Sequence, residues 1–284
     1  MKKVRNIVVT GSSGKAGQAV TKHLAANGYA VTATDVAPSP NDLGVPFIRA
    51  DLTDYGQAVD VLHGADAVVH LANIPAPGIY TPSTTLNANI TMNGNVFLAA
   101  TQLGLSRVVW ASSETTLGLP FDPPRYAPVD EDHFPYPAST YALSKVLSET
   151  MGEHISGWSG IPFVGLRFSN IFRPEEYVRV PGYWANPHDR KWNLWGYIDV
   201  RDVAASCRNA LEADISGAHN VIIAAADTIM NRPSAELLQE VFPEVELRRE
   251  VGEFETLLAI GRARELIGFS PQHSWRAHVS ENRS

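Results

Sequence analysis

The chain has 284 residues, of which 44% are hydrophobic and 19% charged, and its net charge is −7. This composition is typical of a globular protein with a sizeable core, and the acidic balance argues against a nucleic-acid surface. The apolar run at residues 7–9 is too short for a signal peptide, and no stretch approaches the roughly 18 apolar residues of a membrane span. The single cysteine, Cys207, cannot form an internal disulfide. We therefore expect a cytoplasmic protein that binds neither nucleic acid nor membrane.

Short apolar runs alternate with amphipathic stretches through the first part of the chain. The runs are typical of strands covered on both faces, and they predict strands at residues 5–10, 30–35, 47–50, 67–71, 107–111 and 163–166. The stretches between them predict helices at residues 16–26, 56–62, 86–103 and 140–157. Such alternation predicts the α/β class, with a doubly wound parallel sheet of the Rossmann type.

The regular alternation of apolar runs and amphipathic stretches becomes weaker after about residue 170. Residues 173–196 are rich in proline, tryptophan, tyrosine and arginine, and they predict a long ordered loop. One more strand is predicted at residues 219–224, and short helices are predicted at 234–241 and 254–266.

These elements suggest two parts of unequal size. We predict a dinucleotide-binding Rossmann domain over residues 1–170 and a small substrate-binding region over residues 171–284. Residues 197–224 are expected to return from that region to the Rossmann core.

The segment TGSSGKAG, residues 10–17, lies between the first predicted strand and helix. Glycines at this turn let the backbone approach a pyrophosphate at the helix N-terminus, although an ordinary tight turn has the same pattern. Asp35 ends the second strand, where a carboxylate can accept from the ribose hydroxyls and repel a 2′-phosphate, which favours NAD over NADP. Lys15 could instead attract that phosphate. Asp51 and Leu52 follow the third strand, where a loop could contact the adenine.

Tyr141 and Lys145 are four positions apart, so they share one face of a predicted helix. A phenol with a pKa near ~10 is a poor base, but a nearby ammonium and an oxidised nicotinamide lower that pKa. The phenolate can then take a proton from a carbinol while hydride leaves for the nicotinamide. Ser112 and Ser113 close a strand at the sheet edge where ligands bind, so a serine hydroxyl can contact the substrate oxygen. Taken separately, the helix pair occurs often by chance and the serines are typical backbone caps.

Together, these segments resemble the extended short-chain dehydrogenase/reductase family, also called the NAD-dependent epimerase/dehydratase family. The similarity runs from about residue 4 to residue 275. It is carried by TGSSGKAG at 10–17, Asp35, Asp51-Leu52, His70-Leu71-Ala72, Asn89, SSETTLG at 112–118, YALSK at 141–145, LRFSN at 166–170, YIDVRDVA at 197–204 and ARELIGFSP at 263–271. The resemblance implies NAD as the cofactor and a homodimer formed through helices 86–103 and 140–157.

The resemblance also implies roles for the matched residues. Tyr141 matches the general acid/base, Lys145 the residue that binds the nicotinamide ribose and tunes the tyrosine, and Ser113 the catalytic hydroxyl. The implied cofactor-binding residues are Gly11, Ser13, Gly14, Lys15, Ala16, Gly17, Asp35, Asp51, Leu52, Leu71, Ala72, Asn89, Tyr141 and Lys145. The substrate-side candidates are Asn73, Ser112, Glu114, Asn170, Arg173 and Arg179, with Arg167 bordering them. No metal site is predicted.

Two departures from the family's sequence pattern narrow the choice of reaction. The family's sugar dehydratases have two adjacent acids after the catalytic hydroxyl, whereas Glu114 here is followed by Thr115, so elimination of water lacks one acid/base partner. Only 26 residues separate Asn170 from Tyr197, too few for the usual nucleotide-binding subdomain of the nucleotide-sugar epimerases. The stretch resembles that of the uronate dehydrogenases, which are short members of the family. In this stretch Arg173, Arg179 and Arg190 can bind a carboxylate and the tryptophans can stack on a sugar. Such residues are equally typical of a solvated loop whose tryptophans pack on the protein.

Three hypotheses about function follow. The first is an NAD-dependent dehydrogenase that oxidises a secondary carbinol of a sugar, sugar acid or related polyol. The second is a nucleotide-sugar 4-epimerase, which returns the hydride and keeps its NAD. The third is a non-catalytic cofactor-sensing protein, against which the intact Ser113, Tyr141 and Lys145 argue. A sensor has no need for all three side chains.

Overall fold

A parallel sheet forms the centre of the protein in the computed structural model, which describes residues 4–40, 42–133 and 135–279. The strands are β1 (Asn6–Thr10), β2 (Ala30–Asp35), β3 (Phe47–Arg49), β4 (Ala67–His70), β5 (Arg107–Ser113), β6 (Tyr126–Ala127), β7 (Phe163–Phe168), β8 (Ile171–Phe172), β9 (Ile198–Asp199), β10 (Ala218–Ile223) and β11 (Glu246–Leu247). Seven of them form the main sheet, in the order β10-β7-β5-β4-β1-β2-β3. Every neighbouring pair in that sheet is parallel.

Helices cover both faces of this sheet. The helices are α1 (Lys15–Ala26), α2 (Tyr55–Leu62), α3 (Pro82–Leu103), α4 (Thr140–Ser159), α5 (Val200–Glu212), α6 (Ser234–Val241) and α7 (Gly261–Ile267). Of these, α6 packs in a separate hydrophobic cluster. Adjacent residues of β1 point into different layers, because Val9 packs in a cluster with α1 and α5 whereas Val8 packs in one with α2, α3 and α4. Burial on both faces explains the continuous apolar runs of the strands. The predicted α/β class with a doubly wound parallel sheet is confirmed.

The strand order creates a crevice at the carboxyl end of the sheet. From β1 the chain passes to β2 on one side, and β4 then lies on the other side of β1. Ligands bind at such a switch point because the following loops separate there. Thr10, Asp35, His70 and Ser113 end their strands at this edge.

The later part of the chain contributes to the same layers and also forms a third hydrophobic cluster. α5 packs against α1, and β10 lies beside β7 at the sheet edge. The third cluster includes Leu117, Trp195 and Trp275, all of which are buried. The division at residue 170 stays a prediction. Within the described residues, no helix is both long and apolar enough to cross a bilayer.

Some secondary structure differs from the predictions. Residues 173–196 contain two 3₁₀ helices, Pro174–Tyr183 and Pro187–Asn193, instead of a plain loop. The helix predicted at 254–266 exists only as α7. Residues before α7 instead form backbone hydrogen bonds with Val129, whose N–H donates to the Leu257 carbonyl at 2.8 Å. Tertiary hydrogen bonding therefore overrides the local helical pattern there. Helix α5 was not predicted.

Candidate active site

The glycine-rich turn is closely packed between β1, β4 and α1. Gly11 has φ +67°, and a Cβ on it would lie 2.6 Å from the Ala72 nitrogen. A Cβ on Gly17 would lie 2.0 Å from the Gly11 carbonyl oxygen. Both positions therefore require glycine. Among the described residues, no side chain caps the N-terminus of α1 at Gly14, so the backbone N–H groups of the first turn, which includes Ala16, can bind an anion.

Asp35 connects the end of β2 to this turn. Its Oδ2 accepts from the backbone N–H of Ser13 at 2.9 Å, and its Oδ1 accepts from that of Ala37 at 2.9 Å. Carboxylate oxygens accept more than one hydrogen bond each, so Asp35 keeps capacity for a ribose hydroxyl. Asp51 is exposed after β3, whereas the side chain of Leu52 is buried in the core. A contact between Leu52 and an adenine would therefore involve its backbone.

The Lys15 side chain crosses the crevice. Its Nζ lies 2.6 and 2.9 Å from the two carboxylate oxygens of Glu176 and donates to the Ile171 carbonyl at 2.9 Å. Both partners follow β7, which lies on the opposite side of β1 from β2 and Asp35. The structure therefore gives the ammonium a partner away from the strand that would face a 2′-phosphate.

The loop after β4 is held by α3. Leu71 and Ala72 donate their backbone N–H groups to the Thr10 hydroxyl at 3.1 and 3.2 Å. Asn89 accepts from the Ile74 N–H at 2.8 Å and donates to the Ile74 carbonyl at 3.1 Å. It also lies 3.4 Å from the Ser144 hydroxyl of α4. Asn89 therefore fixes this loop and α4 relative to each other.

A buried polar chain behind the crevice was not predicted. The Thr10 hydroxyl pairs with His70 Nδ1 at 2.7 Å, His70 Nε2 pairs with Asn93 Oδ1 at 2.8 Å, and Asn93 donates to Ser148 at 2.7 Å. Asn73 also donates to Asn93 Oδ1, at 2.9 Å. Burial lowers the pKa of His70 to about 3, so the ring is neutral. The signal in the sequence was an asparagine at both 89 and 93, one helical turn apart.

Ser113, Tyr141 and Lys145 come together at the carboxyl end of β5. The Ser113 hydroxyl lies close enough to Tyr141 to favour the phenolate, and it accepts from the Thr115 N–H at 3.2 Å. Lys145 Nζ lies 5.6 Å from the centroid of the Tyr141 ring and donates to the Ala111 carbonyl at 2.6 Å. Lys145 is only 1% exposed and Tyr141 is 9% exposed. All three side chains thus face one protected location.

The electrostatics of this group differ from the sequence-based expectation. Burial raises the pKa of Tyr141 to about 12, and the charge of Glu114 adds to that effect. Burial lowers the pKa of Lys145 to about 7, although the Glu149 carboxylate opposes the change. Desolvation is therefore the largest cause of both pKa shifts. An acidic phenol requires additional positive charge next to Tyr141.

Ser112 points to a separate, buried network. Its hydroxyl donates to Glu149 Oε1 at 2.5 Å, and Glu149 forms a bidentate ion pair with Arg167, with both N–O distances at 2.9 Å. Arg167 is 4% exposed. Ser112 and Arg167, which the sequence placed beside the substrate, therefore have protein partners that connect β5, α4 and β7.

Glu114 and Arg190 belong to another buried network, in which Asn193 and Arg190 both donate to the Gly196 carbonyl. Glu114 accepts from the Asn193 amide at 3.2 Å, and burial raises its pKa to about 7. Arg190 donates to the Asn170 side chain and the Gly196 carbonyl, each at 3.0 Å. Arg190 is therefore occupied within the protein, which disfavours its suggested role in binding a carboxylate.

The remaining substrate-side candidates are less enclosed. Arg173 is half-buried and Arg179 is exposed. Trp195 is fully buried, and Trp184 and Trp192 pack against the third hydrophobic cluster. The packing interpretation of these tryptophans is therefore favoured over stacking on a sugar. Among the described residues, no group of three or more histidine, cysteine or acidic side chains is arranged to hold a metal ion.

A glycine-rich turn after β1, a carboxylate at the end of β2 and a Ser–Tyr–Lys group beside β5 define a dinucleotide-dependent oxidoreductase of the short-chain type. The model of the NAD dependent epimerase/dehydratase family matches residues 7–225. The chain belongs to this family, whose cofactor is NAD, and both predictions are confirmed.

Characterised relatives include sugar dehydrogenases and epimerases. The NAD-dependent glucose-6-phosphate dehydrogenase of Haloferax volcanii is 29% identical over 202 residues, which cover 64% of this chain and 76% of that protein. The uronate dehydrogenase of Pseudomonas putida is 25% identical over 186 residues, covering 64% and 67%. The UDP-glucose 4-epimerase of Thermotoga maritima, whose crystal structure contains UDP-glucose, is 20% identical in sequence to this chain. The structural match covers 96% of each chain, with a TM-score of 0.74. That last similarity shows the shared fold.

Proposed function

We propose that this protein is an NAD-dependent dehydrogenase that oxidises a secondary carbinol of a sugar, sugar acid or related polyol. The observation that carries the proposal is the convergence of Ser113, Tyr141 and Lys145 at the same carboxyl end of the sheet as the glycine-rich turn. The names of the Haloferax and Pseudomonas relatives, both of them sugar dehydrogenases, support this class of reaction.

A dinucleotide fits the residues around the crevice. Gly11 and Gly17 allow the tight packing of the turn, and the N-terminus of α1 would offer N–H groups to a pyrophosphate. Asp35 would bind the adenosine ribose. NAD, when bound, supplies the hydride acceptor and a positive ring.

The chain's own side chains would then handle the substrate oxygen and its proton. The Ser113 and Tyr141 hydroxyls would hold the oxygen by hydrogen bonds, and the Tyr141 phenolate would take the hydroxyl proton as the C–H bond gives up its electron pair. Lys145 in its ammonium form would stabilise that phenolate, since its Nζ lies 5.6 Å from the centroid of the Tyr141 ring. A carbonyl product results, and the proton on Tyr141 passes to solvent.

The test is turnover of a substrate panel by the purified protein with NAD. Uronates, aldoses and UDP-sugars would each be supplied, with formation of NADH followed by absorbance and products identified by NMR. We expect NADH in proportion to the product from a free sugar or sugar acid. NADH binding without turnover of any panel member would instead favour the cofactor-sensing hypothesis.

A nucleotide-sugar 4-epimerase is the second candidate. The fold similarity to the Thermotoga epimerase over nearly the full length of both chains favours it. The short stretch between Asn170 and Tyr197, folded into two compact 3₁₀ helices, argues for a smaller substrate. Conversion of a UDP-sugar to its C4 epimer without net NADH would establish the epimerase and reject the dehydrogenase.

Asp35 provides a test of cofactor choice. Asp35→Asn keeps an acceptor for Ser13 or Ala37 and removes the charge that would repel a 2′-phosphate. We expect the ratio of kcat/KM for NAD over NADP to fall by about 10- to 100-fold, as the loss of one close like-charge contact predicts. The matched control is Asp60→Asn, an exposed carboxylate on α2. An unchanged ratio in Asp35→Asn would remove Asp35 from cofactor selection.

We also propose a homodimer in the cytoplasm. The outward faces of α3 and α4 expose Leu98, Leu147 and Trp158, with the Trp158 side chain 67% exposed. Apolar side chains on two adjacent helices support an interface there. The lone Cys207 is buried and free, as suits a reducing compartment.

A further inference from the structure

Lys15 has an unusual location for a cation. It is the first residue of α1, where the helix dipole favours negative charge and disfavours an ammonium. The structure compensates for this with Glu176, whose carboxylate oxygens lie 2.6 and 2.9 Å from Lys15 Nζ. The pair is only partly exposed, with 34% of the Lys15 side chain and 22% of the Glu176 side chain accessible.

Glu176 comes from the opposite wall of the crevice. It belongs to the 3₁₀ helix Pro174–Tyr183, which follows β8, and its Oε2 also accepts from the Arg173 N–H at 2.7 Å. The ion pair therefore joins the first turn of α1 to the segment after β7. The N-terminus of α1 is also where the glycine-rich turn would receive a pyrophosphate, so the pair borders the most anionic part of a bound dinucleotide.

We propose that Glu176 sets the affinity for the cofactor by holding the Lys15 ammonium away from the pyrophosphate. This inference rests on the proposed function. The Glu176 carboxylate acts in two ways, because it occupies the cation that would otherwise attract the phosphates and it adds a negative charge near them. Both effects weaken binding, which suits a dehydrogenase that must release NADH in every turnover.

The alternative is that the ion pair acts as a clasp that strengthens cofactor binding. If the ion pair mainly fastens the Pro174–Tyr183 segment over the crevice, its loss would free the cofactor. Glu176→Gln separates the two ideas, because glutamine retains an oxygen for the Arg173 N–H and so keeps the segment capped while the charge is removed.

The experiment is titration of the full-length protein with NADH, read by nicotinamide fluorescence, together with the dissociation rate by stopped flow. We expect Glu176→Gln to lower the Kd for NADH by about two- to fivefold through slower dissociation, as one partly exposed charge contact predicts. Lys15→Gln should raise the Kd by a similar factor. Glu175→Gln, the same change at an exposed neighbour, should leave it unchanged. The differences should shrink at about 1 M salt.

Three outcomes overturn the inference. A higher Kd with faster dissociation in Glu176→Gln would establish the clasp. An equal effect of Glu175→Gln would show that the Kd depends only on the net charge of this segment. An unchanged Kd in Glu176→Gln, with the melting temperature also unchanged, would show that the pair has no role in cofactor binding. Failure of the wild-type protein to bind NADH would instead reject the proposed function itself.

Discussion

Tyr141→Phe is expected to lower kcat for carbinol oxidation by about a thousandfold, because it removes the only atom of this side chain that can accept the substrate proton. The ring remains, so packing of this buried side chain and binding of NADH should be nearly unchanged. Turnover would be measured on the best substrate of the panel, and NADH binding by fluorescence.

Two further variants make this result specific. Tyr126→Phe is the matched control, since burial also raises the pKa of Tyr126 to about 12 but its hydroxyl donates to Asp130. It should retain turnover.

In the wild type the oxidation rate should rise with pH, because Tyr141 must lose a proton from a raised pKa. Lys145→Met should lower turnover most at near-neutral pH and below, where part of Lys145 is still an ammonium that stabilises the phenolate. Full activity of Tyr141→Phe would reject the mechanism.

Glu149→Leu is expected to lower the free energy of unfolding by about 3 to 5 kcal/mol, because it leaves a buried guanidinium without its carboxylate. The partner, Arg167, is 4% exposed and makes both of its short ionic contacts with Glu149. Ser112 would lose its acceptor as well. Urea denaturation followed by circular dichroism measures the change.

The double variant Glu149→Leu/Arg167→Met should recover much of this stability, since it removes the orphaned charge together with its partner. Glu212→Leu tests an exposed ion pair with Arg208 on α5 and should cost less than about 1 kcal/mol. If Glu149→Leu were no more costly than Glu212→Leu, the buried network would not contribute to stability as argued.

Some side chains that the sequence placed beside the substrate have partners within the protein. Ser112 and Ser113 are adjacent in a strand, so their side chains point to opposite faces, and only the packing of α4 makes Glu149 the partner of Ser112. Arg190 looked available to a carboxylate, but three aromatic rings and the Asn170 side chain surround it. Neither environment is local in sequence.

The sequence by itself determined the features that depend on residues close together along the chain. The period of apolar residues predicted the parallel sheet, the glycines at 11 and 17 predicted the close turn, and the spacing of Tyr141 and Lys145 predicted their shared helix face. The tertiary structure alone decided which groups meet across the fold, such as Lys15 with Glu176, and the direction of the pKa shift of Tyr141. The physical reason is that ion pairing and desolvation depend on distance and burial in three dimensions, which segments far apart in the chain create together.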